Sequence, residues 1–244
     1  VRGVSGGYYS PDEQRAAKVR LLFAAIARRY DLLNDVMSGG LHRWWKRRVV
    51  ELVGRVTTRG AASGDAAYSN RHVLDLCCGT GDIALRLSGA VVGVDFTFEM
   101  LQVGARRGGN FVQADALRLP FADASFDAVT VGYGLRNLAD LDAGLREIQR
   151  VLRPGGRLVS LDFGKPASPV WRKMYFAHLR FWVPVLGWLL AGDRQAYVYI
   201  LPSLEHYPGQ RGVQAALERL DFVDCRYEEF VGGAMAINLG TKRP

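Results

Sequence analysis

The chain of 244 residues has few of the side chains that build cross-links or metal centres: three cysteines and four histidines. Cys77 and Cys78 are adjacent and Cys225 is remote, which gives neither a disulfide framework nor a metal-ligand spacing. No metal is expected, and the setting is expected to be reducing and intracellular. Long apolar runs are also absent. The most apolar stretch, residues 181–191 (FWVPVLGWLLA), is broken by Pro184 and Gly187 and falls short of the roughly 18 residues that a membrane span needs. No charged-then-apolar leader opens the sequence. A soluble protein is therefore expected, cytoplasmic or peripheral at the inner face of the membrane. Aromatic stacking platforms interleaved with base-edge donors, the mark of an RNA-recognition module, are missing too, so no nucleic-acid partner is expected.

What is present suits one large α/β domain with an appendage: 49% of residues are apolar and 23% charged. The net charge of +8 is uneven, because residues 1–60 hold 12 Lys or Arg against 5 Asp or Glu. Such a segment is drawn to phosphates, of nucleic acid or of an anionic membrane, unless it is simply a solvated arginine-rich surface. Residues 19–30 carry Leu22, Phe23, Ile26 and Ala27 at helical spacing, and residues 42–53 read as a second basic helix beyond the MSGG break. Small polar residues over 57–70 read as a linker. The expected organisation is a helical cap over 1–56, the linker over 57–70 and a Rossmann-like domain over 71–244.

Within that domain short β-rich runs alternate with helices: HVLDLCC, a helix from Asp82, VVGVDF, a helix through Met100, NFVQAD, FDAVTVGY, a helix over 141–152, and GRLVSLDF. Near-continuous apolar strands alternating with helices predict a doubly wound parallel sheet covered on both faces. Two further strands, 222–230 and 235–241, joined by Val231, Gly232 and Gly233, predict a closing hairpin.

Gly79, Gly81 and Ala84 satisfy G-x-G-x-x-G/A at a strand-to-helix turn, a pattern that serves a dinucleotide as well as the aminoacyl tail of S-adenosylmethionine. The acids discriminate. Asp75 lies inside the first strand, suited to a cationic ammonium or sulfonium and poorly suited to a pyrophosphate. Asp95, with Phe96 after it, ends the second strand and can take two ribose hydroxyls. Asp115 ends the third and can accept from an adenine amino group, with Ala116 adding a backbone NH. Three acids at three successive strand ends favour a methyltransferase over a dehydrogenase.

The stretch LLFAAIARRYDLLNDVMSGGLHRWWK, the loop DLCCGTGD, the block FDAVTVGYGLRNLADLDAGLREIQRVLRPGGRLVSLDFGKP and the segment YILPSLEHYPGQ together resemble the C-methyltransferases of menaquinone and ubiquinone biosynthesis. The likeness runs from about Leu21 to Lys242. DLCCGTGD is common to most class I methyltransferases, whereas YDLLNDVMSGGLHRWWK and GYGLRN are specific to this family. The resemblance implies a class I fold, with a seven-stranded, mainly parallel sheet and an antiparallel last strand. It also implies S-adenosylmethionine as cofactor and a polyprenyl quinol as substrate, demethylmenaquinol ahead of a ubiquinone-type benzoquinol. The implied cofactor contacts are Asp75, Gly79, Thr80, Gly81, Asp95, Phe96, Asp115, Ala116 and Gly132. The implied catalytic group is Arg136, Asn137 and Tyr30.

A guanidinium is a poor proton acceptor, so Arg136 is expected to stabilise a developing phenolate, with Asn137 orienting the same oxygen or a water, unless Arg136 only braces its loop. Tyr30 is expected to close over the substrate. His42 is read as a capping or packing residue. Trp44, Trp45, Trp182 and Trp188 are candidates for a channel for the polyprenyl tail and for a membrane contact, or for ordinary packing. Two features depart from the family pattern: the connection over 106–110 is short, and Gly132 stands where a serine is expected. Another small-molecule methyltransferase, or a non-catalytic cofactor- or RNA-binding protein, are the alternative readings.

Overall fold

The computed structural model describes residues 13–27, 30–54, 71–191 and 200–244, with side chains described except over 13–18 and 182–191. The linker expected over 57–70 and the side chains of Trp182 and Trp188 lie outside the described residues. Seven strands form one sheet in the order β3-β2-β1-β4-β5-β7-β6. They are β1 (His72–Leu76), β2 (Ala90–Asp95), β3 (Asn110–Gln113), β4 (Phe126–Gly132), β5 (Leu152–Phe163), β6 (Phe222–Phe230) and β7 (Met235–Lys242). Pairings are parallel from β3 through β5, and β7 runs antiparallel to both β5 and β6. This is the doubly wound sheet that the alternating pattern predicts, closed by the β6–β7 hairpin. Val73, Leu74 and Leu76 of β1 and Val129 and Val131 of β4 are all but inaccessible, as strands covered on both faces must be.

The segment expected as the cap holds, among the described residues, three helices, α1 (Glu13–Ile26), α2 (Tyr30–Ser38) and α3 (Leu41–Gly54). The break at MSGG falls where expected: Gly39 and Gly40 both take positive φ between α2 and α3. α3 buries Trp45, Val49, Leu52 and Val53 with Val159 and Leu161 of β5 in one apolar cluster. The remaining helices are α4 (Phe98–Ala105), α5 (Leu141–Val151), α6 (Pro169–Ala191), α7 (Ile200–His206) and α8 (Gly209–Arg219).

One expected helix is missing. The chain after Asp82 makes turns and a single 3-10 turn at Ala84–Arg86. The next strand begins at Ala90, and Gly89 stands at φ 106°, so the segment runs out of residues before a helix can propagate. Its start is held instead by Asp75, whose Oδ2 accepts from the Ala84 backbone N–H at 3.0 Å.

Candidate functional site

Reversal of strand order between β1 and β4 opens a crevice at the carboxyl edge of the sheet, the place where open α/β sheets bind ligands. Two adjoining cavities there are lined by described residues. The first is lined by Gly79 after β1, Asp95 at the end of β2 and Phe96 after it, Asp115 and Ala116 after β3, and Gly132, Tyr133 and Asn137 around the end of β4. The second, of about 470 Å³, is lined by Asn34, His42 and Trp45 of the cap, by Arg136 and Phe163, and by the α6 residues Trp171, Met174, Tyr175 and His178. Tyr30 and Tyr133 line both, so these two rings form the shared wall.

The first cavity is made from strand ends and backbone. Asp95 is buried, and its two oxygens accept from the backbone N–H of Gly79 at 3.0 Å and of Thr97 at 2.8 Å. Burial raises its pKa, against those backbone donors. The carboxylate is thereby fixed in place with lone pairs left for a diol. Asp115 accepts from the Leu117 N–H at 2.9 Å, a local turn that aims the acid at the cavity edge. Asn137 Nδ2 donates to the Tyr133 carbonyl, and its Oδ1 is buried with no hydrogen-bond partner among the described residues. A buried acceptor without a donor marks a place for a ligand N–H or O–H. Acceptors on three sides and close backbone at Gly79 suit a nucleoside carrying a cationic tail.

The rest of the expected set makes contacts within the protein. Asp75 takes Thr130 Oγ1 at 2.6 Å and the Ala84 N–H, and burial pushes its pKa up to about 7. Among the described residues it borders a small recess beside Tyr30, Lys46 and Asp82. Thr80 is turned away from the first cavity and donates to Asp31 of α2 at 2.9 Å. Gly81, at φ 78°, lets the turn ride over Phe111: a Cβ here would lie 2.6 Å from that ring. Gly132 faces Ile83, whose Cδ1 occupies the space a side chain would need. The missing serine is thus a packing choice.

Arg136 and Asn137 occupy one 3-10 turn, Leu135–Asn137, yet face different cavities: Asn137 the first, Arg136 the second. Arg136 is buried. Its Nη1 donates to Asp162 Oδ1 at 2.7 Å and to the Tyr133 carbonyl at 2.8 Å, and its guanidinium lies 4.7 Å from the centre of the Phe163 ring. Asp162 also receives the Arg136 backbone N–H at 3.2 Å and the Phe163 N–H at 2.8 Å. Bracing and a place on the cavity wall therefore go together. Asp162 was not among the expected residues, although it lies one residue from the end of β5, much as Asp95 ends β2 and Asp115 follows β3. Tyr133 was hidden by its type. At φ 61° it holds a backbone conformation rare for a large side chain, which turns its carbonyl to Arg136 and Asn137.

The cap is latched to the glycine loop by charge. Lys46 Nζ donates to Asp82 Oδ2 at 2.7 Å, and Asp31 pairs with Arg107 while accepting from Thr80. Burial opposes the charge on Asp82, but Lys46 and Arg86 overcome it and bring its pKa down to about 2. Burial also pushes the Cys77 and Cys78 thiols well up, so neither is a nucleophile at neutral pH.

Comparison with known proteins agrees with this geometry. Residues 11–242 match the ubiE/COQ5 methyltransferase family. The ubiquinone/menaquinone biosynthesis C-methyltransferase UbiE of Pseudomonas putida is 39% identical over 246 residues, covering 95% of this chain and 91% of that protein. A possible histamine N-methyltransferase from Thermotoga maritima shares the fold at a TM-score of 0.64 and 16% identity, covering 91% of this chain and 99% of its own. So does phosphoethanolamine N-methyltransferase 2 of Haemonchus contortus, solved with S-adenosylmethionine, at a TM-score of 0.55 and 17% identity over 81% of this chain and 53% of its own. The chain belongs to the ubiE/COQ5 methyltransferase family, with S-adenosylmethionine as its methyl donor.

Proposed function

We propose that the enzyme methylates a ring carbon of a polyprenyl quinol, demethylmenaquinol ahead of a ubiquinone-type benzoquinol. One observation carries the reading: a cavity walled by strand-end acids and close backbone and a larger one beneath the cap helices meet at Tyr30 and Tyr133. In this reading Asp95, Asp115 and Gly79, with the backbone at Ala116 and Gly132, hold the cofactor, and Asn137 supplies an acceptor. Asp75, Thr80 and Gly81 shape the loop. When bound, S-adenosylmethionine supplies an electrophilic methyl group on a cationic sulfur. The protein's task is then alignment and activation of the ring carbon. Arg136, held by Asp162, stands on the quinol side and stabilises a phenolate as it forms, while Tyr30 and Tyr133 keep water from the line of transfer.

The same reading places the enzyme against a membrane, since the prenyl tail resides there. Along α6 the exposed positions Val170, Lys173, Met174, His178 and Phe181 recur at helical spacing, flanked by exposed Arg172 and Arg180. The helix carries no acidic residue. Met174 is both exposed and part of the second cavity's wall, as are Leu41 and Val231. A basic, apolar rim around the cavity mouth fits an anionic bilayer surface. Among the described residues no helix is long and apolar enough to cross a membrane. Replacing Val170 and Phe181 by Ser should weaken sedimentation with phosphatidylglycerol vesicles; unchanged sedimentation would remove the surface assignment.

The function is tested with labelled S-adenosylmethionine and short-chain quinones, each presented reduced and oxidised. Label is expected in the reduced forms alone. Equal labelling of the oxidised forms would overturn activation through a phenolate. Arg136→Ala should abolish turnover with cofactor affinity within a few-fold of the parent, and Asp95→Ala should lose cofactor affinity first.

A further inference from the structure

Activation of a quinol requires a proton acceptor, and neither tyrosine of the shared wall is one: burial raises the pKa of Tyr30 and raises that of Tyr133 further. Arg136 is a permanent cation. His42 of α3 lines the same cavity as Arg136 and is 3% exposed. It lies four residues after Ser38, whose Oγ is 2.9 Å from His42 Nδ1. A hydroxyl has one hydrogen to give. Ser38 gives it to the Asn34 carbonyl, at 2.6 Å, and also receives the His42 backbone N–H at 3.2 Å. At the 2.9 Å contact Ser38 Oγ must therefore accept, so Nδ1 carries the proton. Asp35 Oδ1, 3.6 Å from Nδ1, favours the same tautomer. In neutral His42 the lone pair then belongs to Nε2, which has no hydrogen-bond partner among the described residues.

We propose that His42 is a catalytic residue, the general base that takes the quinol hydroxyl proton on Nε2. The inference rests on the quinol reading given above. The proton on the quinol oxygen passes to Nε2 and the O–H electron pair moves into the ring. The ring carbon forms its bond to the methyl carbon while the pair of the breaking S–C bond stays on sulfur. Loss of the ring C–H proton to water then restores aromaticity, and His42 returns its proton to the oxygen. The net release is one proton, and no oxidant or reductant is used.

The charges around His42 fit this cycle. Burial and then the Lys46 ammonium lower its pKa from 6.5, with Arg43 acting the same way and Asp35 and Asp82 opposing. The imidazole is free to accept at neutral pH. Asp35, tied to Arg43, stands ready to steady the imidazolium once it forms.

His42→Asn tests the role, because its amide reproduces the donor to Ser38 and removes the Nε2 acceptor. With short-chain quinol at pH 7.5, kcat is expected to fall at least about a hundredfold, the usual worth of a positioned base, with cofactor affinity within about twofold. The deficit should shrink for a ring-halogenated quinol, whose more acidic hydroxyl needs less help. A deficit equal for both quinols would reduce His42 to packing and overturn the proposal, as would a variant within a few-fold of the parent. The parent enzyme supplies a check independent of folding of the variant. Its kcat should fall on acidification with an apparent pKa below 6.5, and a flat profile through that range would also overturn the assignment. If the parent methylates no quinol at all, the substrate reading fails instead.

Discussion

The two cavities are built by opposite means. The first takes its polar groups from strand ends, where register fixes them: Asp95 ends β2 opposite Gln113 of β3, and Asp115 lies just beyond that pair. The second is assembled from separate helices, α2 and α3 from before the sheet begins and α6 and α7 from after β5, and its few polar groups are held by side-chain networks. A ladder tolerates the loss of one side chain. A network of buried side chains does not, because each partner left behind is desolvated and unpaired.

The sharpest way to break this contrast is to remove Asp162. Arg136 and Asp162 side chains are each 4% exposed, and taking away one partner of such a pair costs about 3–5 kcal/mol. Asp162→Ala should therefore lose about that much stability in denaturant titration, and its turnover should fall as Arg136 loses its orientation. Asp162→Asn keeps acceptors for the Arg136 and Phe163 backbone N–H groups and should recover part of the stability. If Asp162→Ala melts like the parent, the second cavity does not depend on this network.

The latch between cap and loop offers a smaller effect with a defined pH signature. The folded pKa of Asp82, about 2, lies below the ordinary 3.8, so its pairing with Lys46 stabilises the fold above pH 3.8 and is lost as pH falls toward 2. The shift corresponds to about 2 kcal/mol at neutral pH, an order-of-magnitude figure for a carboxylate that is one-fifth exposed. Asp82→Asn should be less stable than the parent by about that amount at pH 7, and most of the gap should be gone as pH falls to about 2, the folded pKa. A gap that persists unchanged at pH 2 would assign the loss to packing.

Much of the first cavity was legible in the sequence because strand ends are legible: an apolar run stops, an acid follows, and the next apolar run begins a helix later. Asp95, Asp115 and Gly79 needed no more than that. The second cavity was legible only by likeness to a family. No spacing links His42 to Arg136, 94 positions on by number, because the contact is made by helices folding back over a finished sheet. Asp162 is the instructive omission, since the strand-end rule applied to β5 would have found it. The 3-10 turn after Asp82 was misread for a related reason: helical periodicity is visible in seven residues, but the early start of β2 leaves no length to use it.

Gly132 gives the smallest effect and the finest test of whether the first cavity is as forgiving as the ladder suggests. A Cβ at this position would sit 2.6 Å from Ile83 Cδ1, the free end of a flexible side chain. Gly132→Ser should therefore cost about 1 kcal/mol, the low end of the usual cost of overpacking. Ile83→Val removes the clashing methyl and should cost a similar amount alone, about 0.5–1.5 kcal/mol. Together the two should cost less than their sum by about 1 kcal/mol, because the second change makes room for the first. Cofactor affinity should be unaltered in Ile83→Val and at least maintained in the double variant, where the serine hydroxyl gains access to the cavity. Strict additivity in thermal denaturation would mean that the wall moves elsewhere to admit the serine, and that glycine at 132 does not depend on Ile83.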